Sequence, residues 1–154
     1  MIKIEQATIT GRENLRDLSP QLQALSEFYA AFNQRDLEKM AQVWVQTDEA
    51  VIMNPVGLTR GWEEIQAGYS RMFSGPGSAQ VEFYDYSVHA DGELFYAVGR
   101  ERGEFRQEGT RIPLAARTTN IFIYVGGRWR LAHHHVSLDG PKTLAAYRQA
   151  LGMR

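Results

Sequence analysis

The sequence predicts one α+β domain in which a strongly curved antiparallel sheet wraps around helices supplied by the first half of the chain. Two observations carry this expectation. Apolar residues recur at helical spacing through the first half, whereas the second half holds four β-rich segments. Asp91-Gly92, Glu108-Gly109 and Gly126-Gly127 separate those segments, as the turns of antiparallel hairpins require. Helices followed by a meander place the helices on one face of one sheet. A sheet bent around helices makes a cone, and a cone has an interior.

Each element has its own signal. Met1 to Asp17 opens with alternating Ile2 and Ile4, then turns polar; residues 1–18 are read as an edge strand or a mobile arm, and 19–154 as the domain. Ser19-Pro20 supplies a helix cap and a first-turn proline. Leu22, Leu25, Phe28, Tyr29 and Phe32 then form one amphipathic face. Asp36 caps a second helix carrying Leu37, Met40, Ala41 and Trp44. Ala50 to Asn54 is a short strand closed by Pro55-Val56-Gly57. A third helix runs from Trp62 to Phe73, with Ile65, Tyr69, Met72 and Phe73 on its apolar side, and ends at Ser74-Gly75-Pro76-Gly77. Val81–His89, Leu94–Phe105, Ile112–Val125 and Trp129–Leu138 are the four strands. Pro141 to Leu151 is a closing helix.

Composition narrows the function classes. The 154 residues carry 17 basic and 18 acidic side chains. With no basic block, a nucleic-acid or anionic-membrane surface is not expected. There is no cysteine, so disulfides, thiol catalysis and thiolate metal sites are excluded. Without a signal-like start or a spanning apolar run, a cytoplasmic protein is expected. Glycine-rich phosphate loops, Gly-x-Ser-x-Gly and His-Glu-x-x-His are all absent, so no cofactor is expected.

The most informative stretch is Gly127-Arg128-Trp129-Arg130-Leu131-Ala132-His133-His134-His135-Val136-Ser137. Successive strand side chains alternate between faces. Trp129, Leu131, His133, His135 and Ser137 should therefore share the core face, and His134 the outer one. His133 and His135 become the candidate acid–base pair, because imidazole titrates near neutrality. As metal ligands they would need a third, from His89 or Asp85; no metal is expected. Hydrogen-bonded histidines that merely hold the strand are the plainer alternative.

From Leu22 to Pro141 the chain resembles the nuclear transport factor 2-like superfamily, in particular its SnoaL-like branch. The resemblance rests on Phe28-Tyr29-Ala30-Ala31-Phe32-Asn33 with Asp36, on Val51 to Gly57, on Gly61 with Ile65, and on Gly127 to Leu131 running into His133 to Ser137. It implies a cystatin-like roll. His133, His135, Ser137 and Gly140-Pro141 are also similar to the association domain of calmodulin-dependent protein kinase, a ring-forming module. Set against the ketosteroid isomerase of the same superfamily, its tyrosine falls on Phe28, its carboxylate base on Asn54 and its oxyanion-binding aspartic acid near Asn120. None of the three can do that work here.

The resemblance puts Asn54 and Asn120 at the pocket, where uncharged amides can hold a carbonyl or hydroxyl group; for Asn54, capping the turn before Pro55 is the favoured alternative. Arg102 matches an arginine of the kinase association domain and can bind an acidic group, unless it pairs with Glu82, Glu101 or Glu104 at the surface. Tyr29, Trp44, Tyr69, Phe122 and Trp129 are expected to wall the pocket. Together these readings describe a small-molecule-binding domain for an apolar, carbonyl- or carboxylate-bearing ligand, expected to dimerise through the sheet face. A cofactor-independent isomerase, cyclase or dehydratase using a pocket histidine is the alternative, and an oligomeric assembly module the second.

Overall fold

The computed structural model describes residues 2–4 and 7–153. Met1, Glu5, Gln6 and Arg154, which the arm reading also covers in part, lie outside the described residues.

The strands are β1 (Ile2–Ile4), β2 (Val51–Asn54), β3 (Gly57–Arg60), β4 (Ser78–Asp91), β5 (Leu94–Gln107), β6 (Thr110–Val125) and β7 (Arg128–Leu138). The helices are α1 (Pro20–Asn33), α2 (Leu37–Val43), α3 (Trp62–Ser74) and α4 (Pro141–Ala150). One sheet contains all seven strands in the order β1-β4-β5-β6-β7-β2-β3. The α+β class with helices laid on a curved sheet is as expected.

Local chemistry sets the helix ends where the sequence places them. The Ser19 hydroxyl accepts from the Leu22 amide at 3.4 Å, and Asp36 accepts from the Lys39 amide at 3.0 Å, each satisfying a first-turn donor. Two differences from the sequence reading appear. A short strand, β3, follows the Asn54 turn and pairs back on β2. The sheet is also mixed rather than antiparallel throughout, because β2 runs parallel to β7 with Ile52 opposite His134. No hairpin joins those two strands, so no turn dictates their relative direction.

The two central strands of the meander alternate in burial. On β5, Phe95, Ala97, Glu101 and Phe105 are buried, and on β6 Ile112, Leu114, Ala116, Thr118, Asn120 and Phe122. Phe95, Ala97 and Phe122 join Leu25, Phe28 and Tyr29 of α1, Met40 of α2, Trp44 just after it, and Ile65 and Tyr69 of α3 in the main core. A smaller cluster of Phe105, Ile112, Leu114 and Tyr147 seats α4. Close crossing of β4 over β5 depends on two glycines: a Cβ at Gly99 would meet Tyr86, and one at Gly103 the Gln80 carbonyl. Opposite Gly99 the β4 ladder slips between Tyr84 and Ser87, with Asp85 at φ +48°. This bulge sharpens the bend that turns the sheet into a cone.

A second bulge decides the chemistry. On β7 Leu131 pairs with Phe122, but His133 pairs with Ile121, leaving Ala132 without a partner. One extra residue reverses the alternation beyond it. Leu131 faces inward before the bulge; His134, opposite Asn120, faces inward after it.

Candidate active site

The structure therefore corrects the facing of the three histidines. His134 is 6% exposed and inside the cone, and His133 and His135 are half-buried on the outer face. His133 Nδ1 sits 2.9 Å from the Val51 carbonyl, linking β7 to β2, and His135 Nε2 lies 3.0 Å from the Ser137 hydroxyl on its own strand. Their rings are 6.3 Å apart, and His135 shares an outer hollow with Arg100, Arg117 and Asp85. Among the described residues no three His, Asp or Glu side chains converge as metal ligands.

Inside, His134 begins a hydrogen-bonded chain that crosses the cone. Its Nδ1 is 2.6 Å from Asn120 Oδ1. Asn120 Nδ2 donates to the Tyr29 hydroxyl at 3.2 Å, and that hydroxyl donates to Glu101 Oε2 at 2.6 Å. The directions follow from one another. Asn120 spends its amide donor on Tyr29, so its carbonyl faces His134, and the imidazole must carry its proton on Nδ1. His134 Nε2 is left as an acceptor without a partner among the described residues. At the other end, the Thr118 hydroxyl also lies beside Glu101 and favours its ionised form.

Glu101 is the residue the sequence reading missed, having appeared there only as a surface ion-pair partner for arginine. The signal was present: Phe95, Ala97, Glu101 and Phe105 share one parity, which puts a carboxylate on an apolar face. Glu101 is 6% exposed. Burial pushes its carboxyl up to about 7, against the lowering influence of the Tyr29 and Thr118 hydroxyls, because a charge is poorly tolerated away from water. The same cause drives His134 down to about 3, aided by His133 and His135, so at neutral pH this imidazole is uncharged. Burial first, and the neighbouring carboxylate second, hold Tyr29 well above the ordinary phenol range.

These groups meet a real space. A narrow chamber of about 60 Å³ is lined by Tyr29, Glu101, His134, Phe28, Tyr69 and Val136, among others. It adjoins a wider cleft of about 730 Å³. Phe32, Ile52, Asn54, Tyr69, Met72 and Tyr147 wall both. Asn54 also performs its turn role, accepting from the Val56 and Gly57 amides at 3.0 and 3.2 Å. The remaining candidates lie elsewhere. Arg102 is on the outer face, paired with Glu82 at 2.6 Å and lying 3.9 Å over the Tyr84 ring. Phe122 is core, stacked on Phe95 at 4.7 Å with Trp129 edge-on to the same ring. Trp44 is wholly buried behind Tyr69. The chamber wall is thus built by Tyr29, Tyr69 and Asn54, with Asn120 one bond behind it.

A SnoaL-like domain family profile matches residues 22–139, and the chain belongs to that family, within the nuclear transport factor 2-like superfamily. A comparison with curated proteins finds no match. Among solved structures, the chain is similar to a Streptomyces avermitilis protein described provisionally as a dehydratase of the nuclear transport factor 2-like family. The identity is 19%, the coverage 80% of this chain and 96% of that one, and the TM-score 0.68. It is also similar to a Thiobacillus denitrificans protein described provisionally as a calcium/calmodulin-dependent protein kinase type II association domain, at 25% identity, 79% and 96% coverage and a TM-score of 0.62. A ketosteroid isomerase-like protein from Erwinia carotovora atroseptica matches at 20% identity, 77% and 92% coverage and a TM-score of 0.64. Among the described residues no helix is long and apolar enough to cross a membrane.

Proposed function

We propose that the cone binds a small carbonyl- or hydroxyl-bearing compound and moves a proton on it, as a cofactor-independent isomerase, cyclase or dehydratase. The observation that carries this reading is Glu101: a buried carboxyl on the wall of the chamber, held by the Tyr29 hydroxyl and pushed up to about 7 by burial. A base poised near the working pH is the arrangement proton transfer favours. The carboxylate takes the place the sequence reading gave to a histidine. His134, neutral and with Nε2 free, can accept a hydrogen bond from a substrate hydroxyl.

Size supports the reading. A chamber of about 60 Å³ has room for roughly two waters, enough for a polar group and its neighbouring carbon. The apolar remainder of the compound would lie in the wider cleft against Phe32, Met72 and Tyr147. The descriptions of the neighbours as dehydratase or ketosteroid isomerase-like agree with this chemistry without fixing the substrate.

Incubating the protein with a panel of cyclic ketones and hydroxy-ketones in D₂O tests it by NMR. The expected result is accelerated loss of α-proton signal for at least one compound, cut by about 100-fold or more in Glu101→Gln. Exchange that proceeds equally in Glu101→Gln, or no exchange across the panel, would sink the enzymatic reading; retained binding without exchange would leave a carrier.

A further inference from the structure

α1 ends in a motif that favours glycine and carries arginine instead. The Asp36 amide donates to the Ala31 carbonyl at 3.0 Å and the Arg35 amide to the Phe32 carbonyl at 3.1 Å, the paired bonds that close a helix with a left-handed residue. Arg35 is that residue, at φ +55°, where a side chain is strained and glycine is not. An outlier of this kind asks what its side chain does. Part of the answer is structural. Arg35 Nη2 donates to the Phe73 carbonyl and, at 2.8 Å, to the Gly75 carbonyl, so it caps the end of α3.

Capping leaves most of the guanidinium unspent. The group has five N–H donors, and both bonds leave from one nitrogen. Its charge is unmatched as well: the ion pairs among the described residues all belong to other arginines. Arg35 is nevertheless half-buried, and a cation held partly away from water favours a counter-charge. Arg35, Phe73 and Gly75 all line the wide cleft of about 730 Å³. The charged residues on that wall are Arg35, Arg71 and Glu64, two cations against one anion.

We propose that Arg35 anchors a carboxylate on the ligand, which places that ligand among organic acids with an apolar body. This rests on the reading of cleft and chamber as one binding cavity, and adds the end that the chamber does not hold. The wall itself joins the two ends. Phe32 lines both spaces and precedes Arg35 by about one helical turn. Its ring is 6.4 Å from that of Phe73, whose carbonyl Arg35 holds. A hydroxyl or carbonyl group then lies in the chamber beside His134, and the apolar body against Phe32, Met72 and Phe73. The carboxylate meets the unspent Nε and Nη1 donors of Arg35. A charge-assisted bond of this kind is stronger than a neutral one. A single unmatched cation in a half-buried place suits a singly charged group better than a dianion.

Calorimetric titration of the whole protein with 4-phenylbutanoate and 6-phenylhexanoate, each beside its primary amide and its phosphonate analogue, tests this at about pH 7, where the acids are ionised. The unaltered protein is expected to bind at least one acid about tenfold or more tighter than its amide. Arg35→Gln keeps a side-chain donor and removes the charge. It should abolish the acid preference and leave the Kd of the amide within about threefold. Arg35→Gly, which suits the left-handed backbone, should lose the preference in the same way. A merely structural arginine would weaken acid and amide alike, and that result overturns the inference. So does an acid preference that survives Arg35→Gln, or a phosphonate that binds about tenfold tighter than the acid. Glu101→Gln should retain the preference; its loss there would put the carboxylate in the chamber and overturn the assignment to Arg35. Binding of neither acid nor amide overturns it together with the cavity reading. Ketone exchange without acid preference overturns Arg35 alone, whereas acid preference without ketone exchange keeps Arg35 and removes the proton-transfer reading.

Discussion

The Tyr29 hydroxyl donates to Glu101 Oε2 at 2.6 Å and in the same geometry accepts from Asn120 at 3.2 Å. The phenol thus fixes one carboxylate oxygen of a residue that lines the chamber. Removing it should free the carboxylate to rotate. For Tyr29→Phe we expect ketone exchange to fall by about tenfold, with the pH midpoint of the remaining activity displaced upward, because the lost hydrogen bond favours the ionised form. A pH–rate profile checks both.

In the unaltered protein the exchange rate should rise with pH and level off above about 7, since Glu101 acts as a base only when ionised and burial sets its titration there. A profile that is flat from about pH 5 to 8 would disconnect Glu101 from the rate-determining proton transfer.

Stability should answer to pH through the same group. Glu101 has its folded pKa raised above the unfolded value of 4.5 to about 7. Its contribution is complete below 4.5 and is lost as pH rises through 7, a difference of roughly 3 kcal/mol at 1.36 kcal/mol per pH unit. Glu101→Gln should accordingly gain stability relative to the unaltered protein at about pH 8 and little of it at about pH 4. Urea denaturation at the two pH values measures this.

His134 acts with the opposite sign. Its folded pKa is depressed to about 3, so its contribution is present above the unfolded value of 6.5 and declines as pH falls below it. Imidazole NMR should find His134 neutral, with its proton on Nδ1, throughout the range from about pH 8 to 5. A His134 signal that titrates near 6.5 would mean that the ring is not enclosed.

Arg102 serves as the control for the site. Its guanidinium lies on the outer face with Glu82 and Tyr84, and exposed pairs of this kind contribute little. Arg102→Ala should leave ketone exchange and the thermal midpoint unaltered. Phe122→Ala should cost about 3–5 kcal/mol by opening a cavity beneath Phe95, a loss of fold rather than of a ligand contact.

Much of the fold was legible because its signals are local. Ser19, Asp36 and the glycine pairs act within a few residues, and apolar spacing reports which side of a helix is covered. The site was less legible because it hangs on register. Alternation places Trp129 and Leu131 correctly relative to one another, but the unpaired Ala132 is invisible in the sequence, and parity carried past it assigns His134 to the wrong side. β2 lies beside β7 through a long-range contact that no turn residue announces. Glu101 needed no such knowledge. Its place among Phe95, Ala97 and Phe105 was open to the same parity argument, but its arginine neighbours made it look like one of a charged surface row. Asn120, drawn from the resemblance, proves to be the link between Tyr29 and His134.

The unpaired alanine of β7 makes the reaction chemistry of this cone depend on strand pairing as well as on residue identity. The same residues laid in a ladder without that offset would carry two imidazoles into the interior in exchange for one, altering its proton inventory without replacing any catalytic side chain.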